Sequence, residues 1–408
     1  MVRKAGDLVS RRLVMGAVAL IILALIVGYG SAFTNAVVEG TEYRFKELGA
    51  LIDVIALVTT HHYYQPVSTL ELIKGYVASG TINGMLSRAI DDPYTRHMQP
   101  AAFENLMNNT TGVYGGIGIV VGIQEEGLTV VAPIKGTPGE RAGLRRSDRI
   151  IAIDGKDTTY MTLDEAVSLM RGKENTRVEL TIQRGEEVLE VAIVRELINV
   201  ASVDKAEMVD REYGIGYVQL TNFSERTYDE MVAALAELDQ QGMRALIIDL
   251  RNNPGGTLNA ALRVADLFVA EGPLLYLEDR FGNRLPFPAV REGNRSPMPM
   301  AVLVNGASAS ASEILAGALK DNGLATLVGT TTFGKGLVQS LFPLRDGSAL
   351  SLTVQGYLTS GGNDINGVGI EPHIVVEVSP EEEEAIYLGE AEYDAQLEEA
   401  LAVLRSQL

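Results

Sequence analysis

The stretch MAVLVNGASASASEILAGAL, residues 300–319, decides the fold. Met300–Val304 is an unbroken apolar run, the pattern of a strand buried on both faces. A small-residue loop, Gly306–Ser312, follows, and Glu313–Leu319 then reads as a helix. The same unit occurs upstream: the apolar strand Ala245–Leu250, the turn Arg-Asn-Asn-Pro-Gly-Gly at 251–256, and a helix over Leu258–Ala270. Ala325–Gly329 supplies a third strand. Strands alternating with helices predict an α/β core with parallel pairing and right-handed crossovers, spanning 199–378.

On the N-terminal side of this core the pattern changes. Residues 112–198 hold short strands broken by glycine turns, expected at Gly118–Ile123, Leu128–Ala132, Arg149–Ile153, Arg177–Gln183 and Val188–Val194. One helix, Leu163–Met170, sits among them with Thr162 as its N-cap. The polar stretch Asn199–Arg211 reads as a linker. Earlier still, Leu48, Leu51, Ile52, Ile55 and Val58 recur at helical spacing, and the pattern repeats through Ile82–Ile90, giving a helical region over 41–110. The tail, 379–408, opens with four glutamates at 381–384. Its Leu397, Leu401, Leu404 and Leu408 form the apolar stripe of a C-terminal helix that docks on the body.

The N-terminus carries Arg3, Lys4, Arg11 and Arg12 against a single acid, Asp7, and Leu13–Val38 is uncharged. About 20 apolar residues cross a bilayer, and basic residues on the leading flank stay in the cytoplasm. Residues 1–12 are therefore expected in the cytoplasm and 13–33 as a membrane anchor. The alternative is a cleaved signal peptide with Gly30-Ser31-Ala32 at its end. Either way the body is extracytoplasmic, on the periplasmic or extracellular face. A chain of 408 residues is too long for one ordinary core, so two or three domains are expected. With no cysteine, thiol catalysis, disulfides and cysteine-bound zinc drop out together. A net charge of −19 argues against nucleic acid, which needs clustered Lys and Arg.

Chemistry points to the serine loop. A serine at a helix N-terminus meets backbone amides and a dipole that stabilise a developing oxyanion, and alanines alternating with Ser308, Ser310 and Ser312 let a substrate backbone approach closely. A hydroxyl nucleophile needs a base. The four histidines, His61, His62, His97 and His373, do not fall in strand-end loops, so a Ser-His-Asp triad is poorly supported. Lys335, in the glycine-flanked TTFGKGLVQ, is the better candidate. An ordinary lysine, with pKa about 10.4, is protonated at neutral pH, but burial can lower that by 3–5 units. If a strand begins there, Gln339 shares the lysine's face and can orient the amine. The amide of Gly255 or Gly256, together with that of Ala311, would complete a two-donor oxyanion hole. Nothing in the chain implies a metal or a cofactor.

RNNPGG, SASASE and FGKGLVQ, in that order, resemble the carboxyl-terminal processing peptidases, also called tail-specific proteases. The resemblance implies a crotonase-like (ClpP-like) peptidase core, an inserted PDZ domain over 112–198 and an N-terminal helical region, which follow the one membrane helix read from the charge and apolar pattern. It selects Ser310 as nucleophile, with Lys335 as general base, Gln339 as its orienting partner, and Gly255 or Gly256 with Ala311 as the oxyanion hole. DDPYTRHMQP and QLEEALAVL are similar to the family's helical segment and closing helix. In the PDZ segment the resemblance assigns Ile117, Gly118 and Ile119 to a terminal carboxylate, with the peptide added as a strand. It also makes Arg171 the candidate that signals peptide binding to the active site. His373 stands where the family often has an aspartate, and Leu337 where a small or β-branched residue is usual. The expected function is a serine endopeptidase that binds free protein C-termini and cleaves near them through an acyl-enzyme. Its helical regions at either end offer surfaces for a homo-oligomer. The alternatives are a non-catalytic, membrane-anchored PDZ protein that binds tails and a crotonase-type acyl-CoA enzyme.

Overall fold

The computed structural model describes residues 40–408 apart from 65, 125–126 and 291–294. The anchor expected at 13–33 and the cytoplasmic residues 1–12 lie outside the described residues. Among those described, no helix is long and apolar enough to cross a membrane. The described residues divide into two compact units: those of 40–100 with 339–353, and those of 101–338 with 354–408.

In the smaller unit the expected helices run Gly40–His61, Thr69–Ser79 and Ile82–Ala89. Ser68 and Glu71 close a reciprocal capping box at the start of the second, and Gly80, at φ +73°, ends it. Ala50, Val54, Val58, Leu72, Met85 and Leu86 form the buried interior. A short strand, Arg96–Met98, pairs antiparallel with Ala349–Ser351.

The larger unit begins with the helix Pro100–Thr111 and continues into a sheet of short strands. Its strands follow the expected order: Ile119–Gln124, Gly127–Pro133, Arg149–Ile153, Arg177–Arg184 and Glu187–Val194, with Ile119–Gln124 at one edge. The helix Leu163–Met170 starts where expected, because Thr162 accepts the Glu165 amide and Glu165 reaches back to Thr162. Val130, Ile150, Ile153, Val178, Leu180 and Ile182 fill a separate core beneath it.

A second sheet has the order Val203–Asp210, Ile215–Leu220, Ala245–Asp249, Met300–Val304, Thr326–Gly329, Ile374–Val375. All neighbours are parallel except the first pair. The polar segment expected to be a linker is thus largely an edge strand. Val203, Ala206 and Met208 alternate along it and pack on the core, while the charged residues between them disguise the period. The central strands are buried on both faces. Leu246, Ile248, Val302 and Val304 face helices Thr227–Gln240, Leu258–Asp266 and Ala311–Asp321. Ile247, Ala301, Leu303 and Val328 face Ala400, Leu401 and Leu404 of the closing helix, Ala395–Arg405. The tail holds two helices rather than one, because Gly389 turns the chain at φ +69° after Pro380–Leu388. Leu408 lies beyond the second and is exposed. Since the strands are parallel, the 251–256 turn, the serine loop and the lysine loop all leave the same edge of the sheet.

Candidate active site

Ser310 sits at the N-cap of Ala311–Asp321 with φ +56° and ψ −112°, a conformation that costs a non-glycine residue about 1–3 kcal/mol. Neighbouring groups hold the turn. The Ser310 amide donates to Glu313 Oε2 at 2.8 Å, and its carbonyl accepts from the Ile314 amide at 2.9 Å and from Tyr357 Oη at 3.2 Å. Burial, with the nearby Glu313 charge, pushes the Tyr357 phenol well up, so it remains a donor.

The three serines separate by what their hydroxyls do. Ser308 and Ser312 are 0 % exposed. Ser308 Oγ donates to the Leu250 carbonyl at 2.8 Å, and Ser312 Oγ to the Asn253 carbonyl at 2.9 Å. The half-buried Ser310 places its hydroxyl in no such bond among the described residues.

Glu313, also 0 % exposed, joins the serine turn to the lysine turn. Its Oε2 accepts the amides of Ser310 and, at 2.9 Å, of Lys335. Oε1 accepts Thr332 Oγ1 at 2.6 Å and the Gly334 amide at 2.7 Å. Thr332 in turn accepts the Ile370 amide at 2.7 Å. A carboxylate is the one side chain that accepts several donors while offering none. The reading of the sequence gave Glu313 no role; an acid three residues into a helix after a serine is its only local signal.

The 251–256 turn closes against the same loop. Ala309 donates to the Asn253 carbonyl at 3.1 Å, and Asn305 exchanges side-chain and main-chain bonds with Asn252. Gly255, at φ +99°, is packed so tightly that a Cβ there would lie 2.6 Å from the Ala309 carbonyl oxygen and 2.9 Å from the Ala311 nitrogen. Of the two glycines, Gly255 spends its amide on Asn253 Oδ1 at 2.9 Å. Phe223 brackets Gly256, donating to the Gly255 carbonyl and accepting from Thr257, which leaves the Gly256 amide outside the ladder. The Gly256 and Ala311 amides have no protein acceptor among the described residues. Arg251, at the head of this turn, is buried between Asp249 and Asp394. It thereby fastens the turn to the cap of the closing helix, and those two carboxylates raise its pKa against burial.

Gln339 belongs to the smaller unit, where its Nε2 donates to Thr353 Oγ1 at 3.4 Å. A Ser–His–Asp group does occur there, with His97 Nε2 2.8 Å from Ser348 Oγ. It is no triad: Ser348 is wholly buried and donates its proton straight to Asp346 at 2.5 Å. His373 takes a structural part, its Nδ1 accepting the Leu327 amide at 2.9 Å; burial, then Lys320, lowers its pKa.

Beside the sheet of short strands, the Ile117 carbonyl accepts from Gly139 at 2.7 Å and the Gly118 carbonyl from Ile134 at 2.9 Å, while neither residue's amide has a protein acceptor among the described residues. Gly118 turns at φ +70° immediately before the edge strand. Ile119 opens that strand, and Val120 and Ile123 expose their side chains along it. Arg171 caps the helix Leu163–Met170 and lies over the Tyr114 ring at 4.3 Å. Its guanidinium reaches Asn105 Oδ1 at 3.2 Å and Asn109 Oδ1 at 3.0 Å, on the helix Pro100–Thr111. Among the described residues no group of His, Asp or Glu side chains could hold a metal ion.

Residues 214–376 match the model of peptidase family S41, and residues 129–184 that of the PDZ domain. A carboxyl-terminal-processing protease of a Synechocystis species is 46% identical over 294 residues, covering 71% of this chain and 68% of the relative. A carboxy-terminal-processing protease of Bartonella bacilliformis is 38% identical over 361 residues, covering 87% and 80%. Among solved structures, a photosystem II D1 C-terminal processing protease superposes with a TM-score of 0.56 at 30% identity, over 80% of this chain and 92% of that one.

Proposed function

We propose, from the premise that the chain belongs to peptidase family S41 and its carboxyl-terminal processing proteases, that Ser310 and Lys335 carry out its hydrolysis. The protein is a serine-type C-terminal processing peptidase with a PDZ domain. In the proposed reaction the neutral Lys335 amine takes the Ser310 proton as Oγ attacks the scissile carbonyl. The amides of Ala311 and Gly256 receive the oxyanion. The lysine returns the proton to the leaving amine, and water then resolves the acyl-enzyme. Gln339 holds the lysine amine in place, as the family resemblance implies. One observation supports this assignment above the others: the Ser310 hydroxyl donates to no protein acceptor among the described residues, on a strained turn whose amide shares Glu313 with that of Lys335. Cleavage of a tail-tagged protein by Ser310→Ala and Lys335→Ala variants tests it. Each is expected to lose turnover and keep tail binding, and turnover by either would sink the dyad.

The same proposal gives the PDZ domain the free C-terminus. Its support is the open edge strand Ile119–Gln124 beside Leu163–Met170, with unused amides at Ile117 and Gly118. A tail peptide is expected to bind, and the same peptide with an amidated terminus to bind at least tenfold more weakly. Equal binding of the two would remove the carboxylate from the recognition. We further propose a membrane tether with the body on the extracytoplasmic side, supported by the basic flank and uncharged run of residues 1–38. Protease digestion of intact cells or spheroplasts is expected to reach the body. A homo-oligomer through the terminal helices rests on their apolar residues, and light scattering of the 40–408 fragment tests it.

A further inference from the structure

Two polar contacts tie the tail of the chain to the loops of the proposed active site. The first is at Arg251, which is 7 % exposed. Its Nε and Nη2 donate to the Asp249 carboxylate, while Nη1 and Nη2 donate to Asp394 at 3.0 and 2.8 Å. Nη1 also donates to Gln396 Oε1 at 3.0 Å, and Tyr217 Oη donates to Asp249 Oδ2 at 2.7 Å. Asp394 is at the same time the N-cap of the closing helix, accepting the amides of Gln396 and Leu397. One carboxylate thus serves both the start of that helix and the head of the 251–256 turn.

The second contact is at Asn305, which is buried between the turn and the serine loop. Its Oδ1 accepts the amides of Asn252 and Ala307 at 2.9 and 3.2 Å, one from each loop. Its Nδ2 donates to Asn252 Oδ1 at 2.9 Å and to Glu383 Oε1 at 2.5 Å, the latter on the tail helix Pro380–Leu388. An asparagine amide fits such a network only one way round, and an acceptor-only carboxylate beside Nδ2 fixes that way. Asn252 itself stands at φ +59°, with Asn305 engaging both its amide and its side chain.

Arg251 and Asn252 open the turn that ends in Gly255 and Gly256. We propose that Asp394 and Glu383 are positioning residues, which through Arg251 and Asn305 hold the Gly256 amide where the oxyanion forms. The inference rests on the reading of Gly256 and Ala311 as the oxyanion donors. It adds a task for the tail: its two helices set one of those donors, so their docking is felt in kcat. Alignment of this kind matters because a displacement of about 1 Å can cost about 100-fold in rate.

The test sets the full chain beside its Asp394→Ser, Glu383→Ala and Glu383→Gln variants, in cleavage of a tail-tagged protein and in inhibition by a peptide boronic acid. The boronic acid forms a tetrahedral adduct on the serine with an oxygen in the oxyanion position, so its affinity reports the donors. Serine still caps a helix, so Asp394→Ser separates the Arg251 contact from helix formation. Asp394→Ser is expected to lower kcat about tenfold and to weaken the inhibitor by a similar factor, with KM within about twofold. Glu383→Ala should lower both in the same direction. Glu383→Gln, which keeps an oxygen for Asn305, should restore most of that loss. Unchanged kcat and inhibition in folded Asp394→Ser and Glu383→Ala overturn the proposal, even if only the melting temperature falls. An inactive Ser310→Ala in the same assay then leaves the site itself standing, whereas turnover by Ser310→Ala removes both. Should Asp394→Ser not fold, the two variants of the half-buried Glu383 decide by themselves.

Discussion

The main-chain amides of Ser310 and Lys335, 25 residues apart in sequence, donate to one and the same oxygen, Oε2 of Glu313, at 2.8 and 2.9 Å. The loops that carry the proposed nucleophile and the proposed base are thus registered through their backbones. The acceptor sits on the first turn of the helix that the nucleophile caps, so any shift of that helix moves both loops together.

Glu313→Gln keeps the shape but replaces one acceptor oxygen with a donor that must face two other donors. An unsatisfied buried group costs about 1–3 kcal/mol. Expected are a lower melting temperature and a kcat reduced at least about tenfold, with tail-peptide binding to the PDZ domain unchanged. Wild-type kcat in a folded Glu313→Gln protein would show that the shared oxygen does not register the loops.

The serines give opposite signatures. Ser310→Ala is expected to end turnover with little change in stability, since its hydroxyl donates to no protein acceptor among the described residues. Ser308→Ala and Ser312→Ala each remove a buried hydroxyl-to-carbonyl bond and should cost about 1 kcal/mol while turnover persists. Denaturant melts and turnover on the three proteins check this. A turnover-dead but unaltered Ser312→Ala would reassign the nucleophile.

Gly255→Ala places a methyl against the Ala309 carbonyl oxygen and the Ala311 nitrogen, at a backbone φ of +99°. Main-chain atoms cannot swing away as a flexible side chain can, so the serine turn must move. Turnover is expected to fall by about two orders of magnitude or more. Gly242→Ala, also at positive φ but with open space around it, serves as the control and should cost only about 1 kcal/mol of stability.

Asp92 carries a pH signature: burial works against its charge, but His62, Thr95 and the Tyr94 amide outweigh it. Its folded pKa, about 2, lies below the ordinary 3.8, so its contribution to stability is fully present above about pH 4 and is lost as pH falls towards 2. The shift corresponds to about 2 kcal/mol. Asp92→Asn should therefore flatten the loss of stability between about pH 4 and 2, as read from thermal melts across that range. An unchanged acid limb would place the relevant carboxylate elsewhere.

Much of this architecture was legible in the residues themselves. Met300–Val304 matched its expected bounds because five apolar residues in a row describe a strand sealed on both faces. Leu163–Met170 did so because Thr162 and Glu165 write its start into adjacent positions. Where the local pattern was ambiguous, the reading failed. Val203–Asp210 looked like a linker because an edge strand needs only one apolar side, and its charged residues sit on the other. The helix expected over Leu258–Ala270 stops at Asp266, its apolar residues continuing into a buried turn.

Sequence alone determined the kinds of group available: a serine before a helix, a lysine between glycines, a glycine pair after a strand, and no thiol. Local pattern could not separate Ser308, Ser310 and Ser312, which stand in the same context, and it was the family resemblance that named Ser310. What the fold added is a difference between the hydroxyls: the carbonyls of Leu250 and Asn253, more than fifty residues away, engage those of Ser308 and Ser312. The fold likewise spent the Gly255 amide on Asn253 and gave Glu313 its four donors. The physical reason is range. Periodicity and capping are settled by residues within a turn or two, whereas a hydrogen bond between distant loops exists only once the strands beneath them have set those loops side by side.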